Sequence, residues 1–288
     1  MAVPVPAKDG DVNVYNLSGS SAATPIVYFV NGMRVLPREH ALTAGYLSLL
    51  IEHPVSGIYN KTAGKRLGSL VDLLQCAADF MQNTGARIGS RSNLARTERV
   101  SDAKVAEFLE TMDDKYVIWN RATRALVREV LTNRQHRQLI VCHSQGNLIT
   151  SNALFVVEDV LGAQGLSNIR VYSLASPAPA WPLGLRKTEG GGGRQDNAFM
   201  NDLVALLRPH NLAKKLGIGG LQNAGDFRKH PGFGPVSLGP HDAHVNIETL
   251  NFLKSIRGDL GLPKDLKADF LARAAAIAAR ALPPPPGR

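Results

Sequence analysis

The stretch QLIVCHSQGNLITSNALFVV, residues 138–157, decides how this chain is read. Leu139, Ile140 and Val141 are strand formers, and Leu148, Ile149, Leu154, Val156 and Val157 can line the buried face of a helix. Only four residues, His143-Ser144-Gln145-Gly146, separate the two patterns. The pattern predicts a buried strand, a sharp turn with Ser144 at its tip, and a helix. A tight, strained bend of this kind needs small flanking residues and holds a serine hydroxyl clear of the sheet, as a nucleophile requires. The general form is G-x-S-x-G; here Cys142 replaces the first glycine and Gly146 is kept. A plain Ser-Gly loop between a core strand and a core helix is the competing reading, and the flanking patterns favour the elbow.

A serine is a poor nucleophile at neutral pH, so the reading requires a base, a carboxylate to orient that base, and donors for an oxyanion. With an elbow of this type the chain order is serine, acid, histidine. Asp202 is the preferred acid, because NAFMNDLVALL (197–207) carries an apolar stretch that ends at an acid, as at the carboxyl end of a late strand. A helix N-cap is the ordinary alternative for such an aspartate. Asp226, in NAGDFRKH, and Asp196 are the other candidates. For the base, GPHDAHVNIETLNFLKSIR (239–257) offers His241 and His244 after a Gly-Pro turn and before an amphipathic run. His241 is favoured, with His244 the alternative; one of the two at least is an ordinary surface or capping residue. His143 is expected to pack within the elbow, since adjacent side chains on a strand diverge. One oxyanion donor is expected from the backbone N–H of Gln145. The second is expected where the β-branched run Ile26–Val30 ends abruptly at Asn31-Gly32, from the N–H of Met33 or of Gly32 itself.

The segments VYFVNGM (27–33), GIYN (57–60), VCHSQGN (141–147), VYSLASPAP (171–179), MNDLV (200–204) and GPHDAHVN (239–246) together resemble the α/β-hydrolase superfamily, in particular bacterial serine esterases and lipase-like proteins. The resemblance spans residues 24–256, with long stretches between motifs that carry no signal. It implies that Ser144 is the nucleophile, Asp202 the acid and His241 the base, with Gln145 and the Asn31-Gly32 turn at the oxyanion positions. Two departures stand out: Cys142 for glycine, and Asn31 where such enzymes often have histidine. The implied activity is hydrolysis of a carboxylic ester, with lipid esters the first expectation. A thioesterase or amidase would use the same machinery, and a non-catalytic binding protein of the same fold is the reading from another class.

Strand-like runs at 12–16, 25–30, 55–59, 138–142, 168–174 and about 197–201 alternate with helical stretches. This predicts an α/β protein with a mainly parallel central sheet and helices on both faces. Two of the covering helices are read in PREHALTAGYLSLLIEH and in 119–133. One domain is expected over 1–256, with insertions at 61–115, 178–197 and 213–240, followed over 257–288 by an alanine-rich helix and a proline-rich tail. Glycine-rich insertions beside a catalytic site are either lids or inert loops.

Composition agrees with a compact enzyme: 288 residues, 44% hydrophobic and 20% charged. The sequence shows no apolar run long enough for a membrane helix and no basic-then-apolar leader, so a cytoplasmic location, or export without a cleaved signal, is expected. Two cysteines, Cys76 and Cys142, give no disulfide framework. With no Cys/His spacing for zinc and no phosphate-binding loop, no metal and no cofactor are expected. The net charge of +9 is spread over both halves and favours anionic partners, including a peripheral contact with an anionic membrane surface. Aromatic residues make up only 6%, and specific nucleic-acid binding is not expected. Arg121, Arg124 and Arg128 recur at helical spacing and are read as a solvated helix face.

Overall fold

The run read first, β4 (Gln138–His143), is buried at all six positions and lies in the middle of a seven-stranded sheet. The other strands are β1 (Val12–Tyr15), β2 (Ile26–Val30), β3 (Val55–Ile58), β5 (Ile169–Leu174), β6 (Gly193–Phe199) and β7 (Ala224–Arg228). Their order is β1-β3-β2-β4-β5-β6-β7; β1 pairs antiparallel at one edge and every other pairing is parallel. The computed structural model describes residues 3–33, 35–61, 76–83, 100–115, 120–185, 193–199, 224–228, 252–266 and 268–281.

The described residues also include the helices α1 (Pro37–Leu50), α2 (Asp102–Lys115), α3 (Arg121–Thr132), α4 (Gly146–Leu161), α5 (Phe252–Asp259) and α6 (Ala268–Ala281). A further helical stretch covers 76–83. Successive strand side chains point to opposite faces, so each inner strand feeds two cores. Val27, Phe29, Leu139 and Val141 join a cluster with residues of α1, α5 and α6. Tyr28, Val30, Ile140 and Cys142 join the opposite cluster with residues of α2, α3 and α4. The expected class, α/β with a mainly parallel sheet and helices on both faces, is therefore the one observed.

Local signals explain the helix starts. Pro37 opens α1, where a missing N–H costs nothing, and the Glu39 carboxylate accepts the Leu36 N–H at 2.8 Å. Asn120 caps α3 by accepting from the N–H groups of Ala122 and Thr123 at 2.8 and 3.2 Å, a contact worth about 1 kcal/mol. Arg121 and Arg128 on α3 are exposed, as a solvated face predicts. On the far side α5 is tied to the end of α1 by Arg257, which donates to the Leu50 carbonyl and pairs with Glu52 at 2.9 Å. Among the described residues no helix is long and apolar enough to cross a membrane.

The sheet differs from the expectation at its late edge. The strand expected near 197–201 starts at Gly193, within the stretch 178–197 read as an insertion, and pairs with β5, Gly193 opposite Arg170. Backbone pairing along β5 offers these residues hydrogen bonds that a loop would forgo. Strand β7 falls inside the segment read as an insertion, 213–240; AGDFR is short and contains glycine, so its strand pattern is weak. The proline-rich tail lies outside the described residues.

Candidate active site

Ser144 leaves the end of β4 with φ of +55°, in the left-handed region that a non-glycine residue rarely adopts. Gln145 is already helical, with φ −56° and ψ −28°, and α4 begins at Gly146. The strain of a residue so placed is of order 1–3 kcal/mol and persists only where the surroundings fix it. Here they do so through hydrogen bonds on both sides of the serine. The Ser144 N–H donates to the Leu174 carbonyl at 3.1 Å, and its own carbonyl accepts from the Asn147 N–H and Nδ2, both at 3.0 Å. Asn147 Nδ2 also donates to the Leu174 carbonyl at 2.9 Å, and Asn147 Oδ1 accepts from the Cys142 thiol at 3.1 Å. Burial pushes that thiol well above the ordinary cysteine range, so Cys142 is a neutral, packed donor.

The elbow meets the end of β2 at backbone contact. A Cβ on Gly146 would lie 2.4 Å from the Val30 carbonyl oxygen, and one on Gly32 would lie 2.6 Å from Ser144 Cβ and 3.1 Å from Ser144 Oγ. Real Cβ atoms do not approach so closely, and this is the reason glycine is required at both positions. The Asn31-Gly32 turn thus sits directly against the serine, where the second oxyanion donor was expected; Met33 follows it, half-buried. Asn31 holds the turn in place. Its Nδ2 donates to the Gly32 and Asn60 carbonyls at 2.8 and 2.9 Å, and its Oδ1 accepts the Asn60 N–H at 2.9 Å, joining the ends of β2 and β3. His143 is buried within the elbow.

Four polar residues that the sequence reading passed over complete this end of the sheet. Asn60 Nδ2 donates to Gln145 Oε1 at 3.0 Å, and Gln145 Nε2 donates to Asp79 Oδ2 at 2.7 Å. Asn120 Nδ2 reaches the same Asp79 oxygen at 3.3 Å and Asn60 Oδ1 at 3.4 Å. Asn147 is the fourth. Burial raises the Asp79 carboxyl to about 6, and nearby Asp9 pushes the same way, while its bonds from Gln145 and Asn120 pull it back. One signal was present in the sequence: Asn31, Asn60 and Asn147 follow closely on the ends of apolar strand runs, where backbone groups lose their ladder partners.

The remaining candidates fare differently. Asp196 lies in β6 opposite Ser173, buried, and accepts from Arg194 at 2.9 Å; the Arg194 guanidinium in turn lies over the Trp181 ring, 4.9 Å from its centre. Asp226 is in the middle of β7, opposite Asn197, with its side chain outside the described residues. Asp202, His241 and His244 lie outside the described residues. Strand β6 runs parallel to β5 and β4 and ends at Phe199, so it finishes at the same end of the sheet as Ser144.

Six parallel strands with one antiparallel edge, helices on both faces and a serine in the left-handed region between the central strand and its helix make a recognisable arrangement. It is the α/β class expected from the sequence, a mainly parallel sheet with helices on both faces and a strand–turn–helix elbow at Ser144. Among solved structures, one similar to this chain is a lidless a/b serine hydrolase from Xanthomonas campestris. It is 14% identical, with 99% of this chain and 98% of that chain covered at a TM-score of 0.40, a likeness that carries nothing about substrate or activity. No family model matches the chain, and no curated protein matches it.

Proposed function

We propose that this protein is a serine hydrolase that cleaves a carboxylic ester through an acyl-enzyme formed on Ser144. The observation that supports this most is the strained serine itself. A non-glycine residue at φ +55° is held there by hydrogen bonds to its N–H and carbonyl, against a glycine turn with no room for a methyl group. In this reading Ser144 Oγ attacks the acyl carbonyl, and the N–H of Gln145, at the start of α4, and an N–H of the Gly32-Met33 turn receive the negative charge on the carbonyl oxygen. His241, with His244 the alternative, takes the serine proton and returns it to the leaving alcohol. Asp202 fixes the imidazole tautomer, and water then releases the acid. The net charge of +9 supports an anionic or lipid ester as substrate, met at an anionic surface.

The test is reaction of the purified protein with a fluorophosphonate probe beside Ser144→Ala, followed by mapping of the labelled peptide. Labelling confined to Ser144 and lost in the variant is expected, with hydrolysis of p-nitrophenyl esters to rank chain lengths. A folded protein that does not label, or that labels elsewhere, would overturn the proposal. Loss of labelling in His241→Ala with retention in His244→Ala is the expected outcome for the base.

A further inference from the structure

We infer that Asp79 is a positioning residue for the oxyanion site, acting through the side chain of Gln145. This rests on the reading of Ser144 as a nucleophile. The N–H expected to receive the oxyanion belongs to Gln145, and the side chain of the same residue is gripped at both ends. Its Oε1 accepts from Asn60 Nδ2 at 3.0 Å and its Nε2 donates to Asp79 Oδ2 at 2.7 Å. Asn60 is tied to the glycine turn, because its N–H and carbonyl both bond the side chain of Asn31. One chain of bonds therefore runs from Asp79 through Gln145 and Asn60 to Asn31 and the carbonyl of Gly32. It links the two stretches of backbone that face Ser144.

Asp79 sets the direction of that chain. An amide can turn over and exchange donor for acceptor, but an ionised carboxylate only accepts. Facing Asp79, Gln145 must present its NH2, which leaves its oxygen for Asn60. Asp79 is itself held on α4: Asn152 Nδ2 donates to its backbone carbonyl at 3.0 Å, and one turn later Asn83 donates to Ser151 and Asn152 at 2.8 and 3.0 Å. The carboxylate is 2% exposed, and burial makes its charged form costly. A side chain needed only to fill space there would be better uncharged. Asp79 touches no reacting atom in this scheme; it fixes where Gln145 stands.

The experiment is steady-state hydrolysis of a p-nitrophenyl ester by wild type, Asp79→Ala, Asp79→Asn, Gln145→Ala and the double variant Asp79→Ala/Gln145→Ala, each normalised to folded protein. Removing the acceptor in Asp79→Ala is expected to lower kcat by about tenfold with KM within about twofold, as for an interaction felt in the transition state. Asp79→Asn can offer Gln145 either an oxygen or an NH2, so the fixed direction is lost and kcat is expected to recover only in part. In the Gln145→Ala background, Asp79→Ala should cost almost nothing further, because coupled residues are not additive. Wild-type kcat in folded Asp79→Ala, or a full additional loss in the double variant, would overturn the inference. If Asp79→Ala does not fold, Gln145→Ala removes the same bond from its other side, and an unchanged kcat there overturns it equally. A folded wild type with no turnover and no fluorophosphonate labelling would instead sink the hydrolase reading, and the inference with it; labelled wild type with indifferent variants sinks the inference alone.

Discussion

Gly32→Ala should disable the serine while leaving the fold largely standing. A Cβ at position 32 would lie 2.6 Å from Ser144 Cβ, 3.1 Å from Ser144 Oγ and 3.1 Å from the His143 carbonyl oxygen. Carbon atoms rest about 3.5–4.0 Å apart, so the two backbones must separate by about 1 Å. Neither side gives easily: the serine is bonded to Leu174 and Asn147, and the turn is bonded through Asn31 to Asn60. Backbone strain is not the cause, since Gly32 is not among the glycines with positive φ. The displacement must fall on Ser144, the turn, or both. A misplacement of about 1 Å at a reacting centre costs about a hundredfold in rate, or roughly 2.7 kcal/mol of barrier. Overpacking by one methyl should cost about 1–3 kcal/mol of stability, a loss that an ordinary domain survives. The assay is the second-order rate of fluorophosphonate labelling, with urea unfolding of the same sample to show that it is folded. A folded Gly32→Ala protein that labels at the wild-type rate would refute the close apposition of turn and serine on which the site is built.

Other perturbations test the surroundings. Asn147→Ala deletes the side chain that bonds the Ser144 and Leu174 carbonyls and accepts from Cys142, and should lower the unfolding free energy by about 2–3 kcal/mol in urea titration. His40 is enclosed by the rings of Tyr15, Phe29 and Tyr59, and burial lowers its pKa to about 3. The native state then resists the proton that the unfolded chain accepts near 6.5, so stability is full above that pH and falls by about 1.4 kcal/mol per unit below it. From pH 5 to 7.5 the unfolding free energy of wild type relative to His40→Leu should rise by about 2 kcal/mol in urea titration, and a difference that does not change with pH would contradict the buried, neutral assignment. Asp79 has the opposite sign: its folded pKa near 6 exceeds the ordinary 3.8, so its contribution is full below 3.8 and is lost as pH rises through 6. Relative to Asp79→Asn, wild type should therefore lose about 2.5 kcal/mol between pH 4 and 7; parallel pH curves for the two would contradict the buried, charged assignment.

How much of this was legible in advance depends on how local the signal is. Strands β2, β4 and β5 and the turn at Ser144 were readable because each is a dense run of β-branched and apolar residues ending in a small or polar one. The strained φ of Ser144 agrees with the elbow pattern even though Cys142 stands where glycine is usual, because the thiol fits as a buried donor to Asn147. The glycine pair at 32 and 146 was visible, but the 2.4 and 2.6 Å approaches that require glycine arise only when β2 and β4 lie side by side. Late in the chain the signal fails: β6 begins at Gly193 and β7 is AGDFR, strands made by their neighbours more than by their own residues. Asp79 was not found because nothing around it in sequence marks it. Its importance comes from the elbow residue Gln145, 66 positions away, and from Asn120, 41 positions away.

The asparagines at the end of the sheet have a common physical origin. A parallel strand that stops leaves peptide N–H and C=O groups without ladder partners, and these cannot be left bare in a buried site. A carboxamide carries both a donor and an acceptor, so it can stand in for the missing peptide. Asn31 does so between β2 and β3, and Asn147 does so between the elbow and the end of β5. Such side chains can be satisfied in more than one orientation, and a network built from amides alone has no preferred direction. Asp79, with acceptors only, removes that freedom for Gln145. The charge therefore carries its burial cost at the point where a turned-over amide would release Gln145, the residue after Ser144.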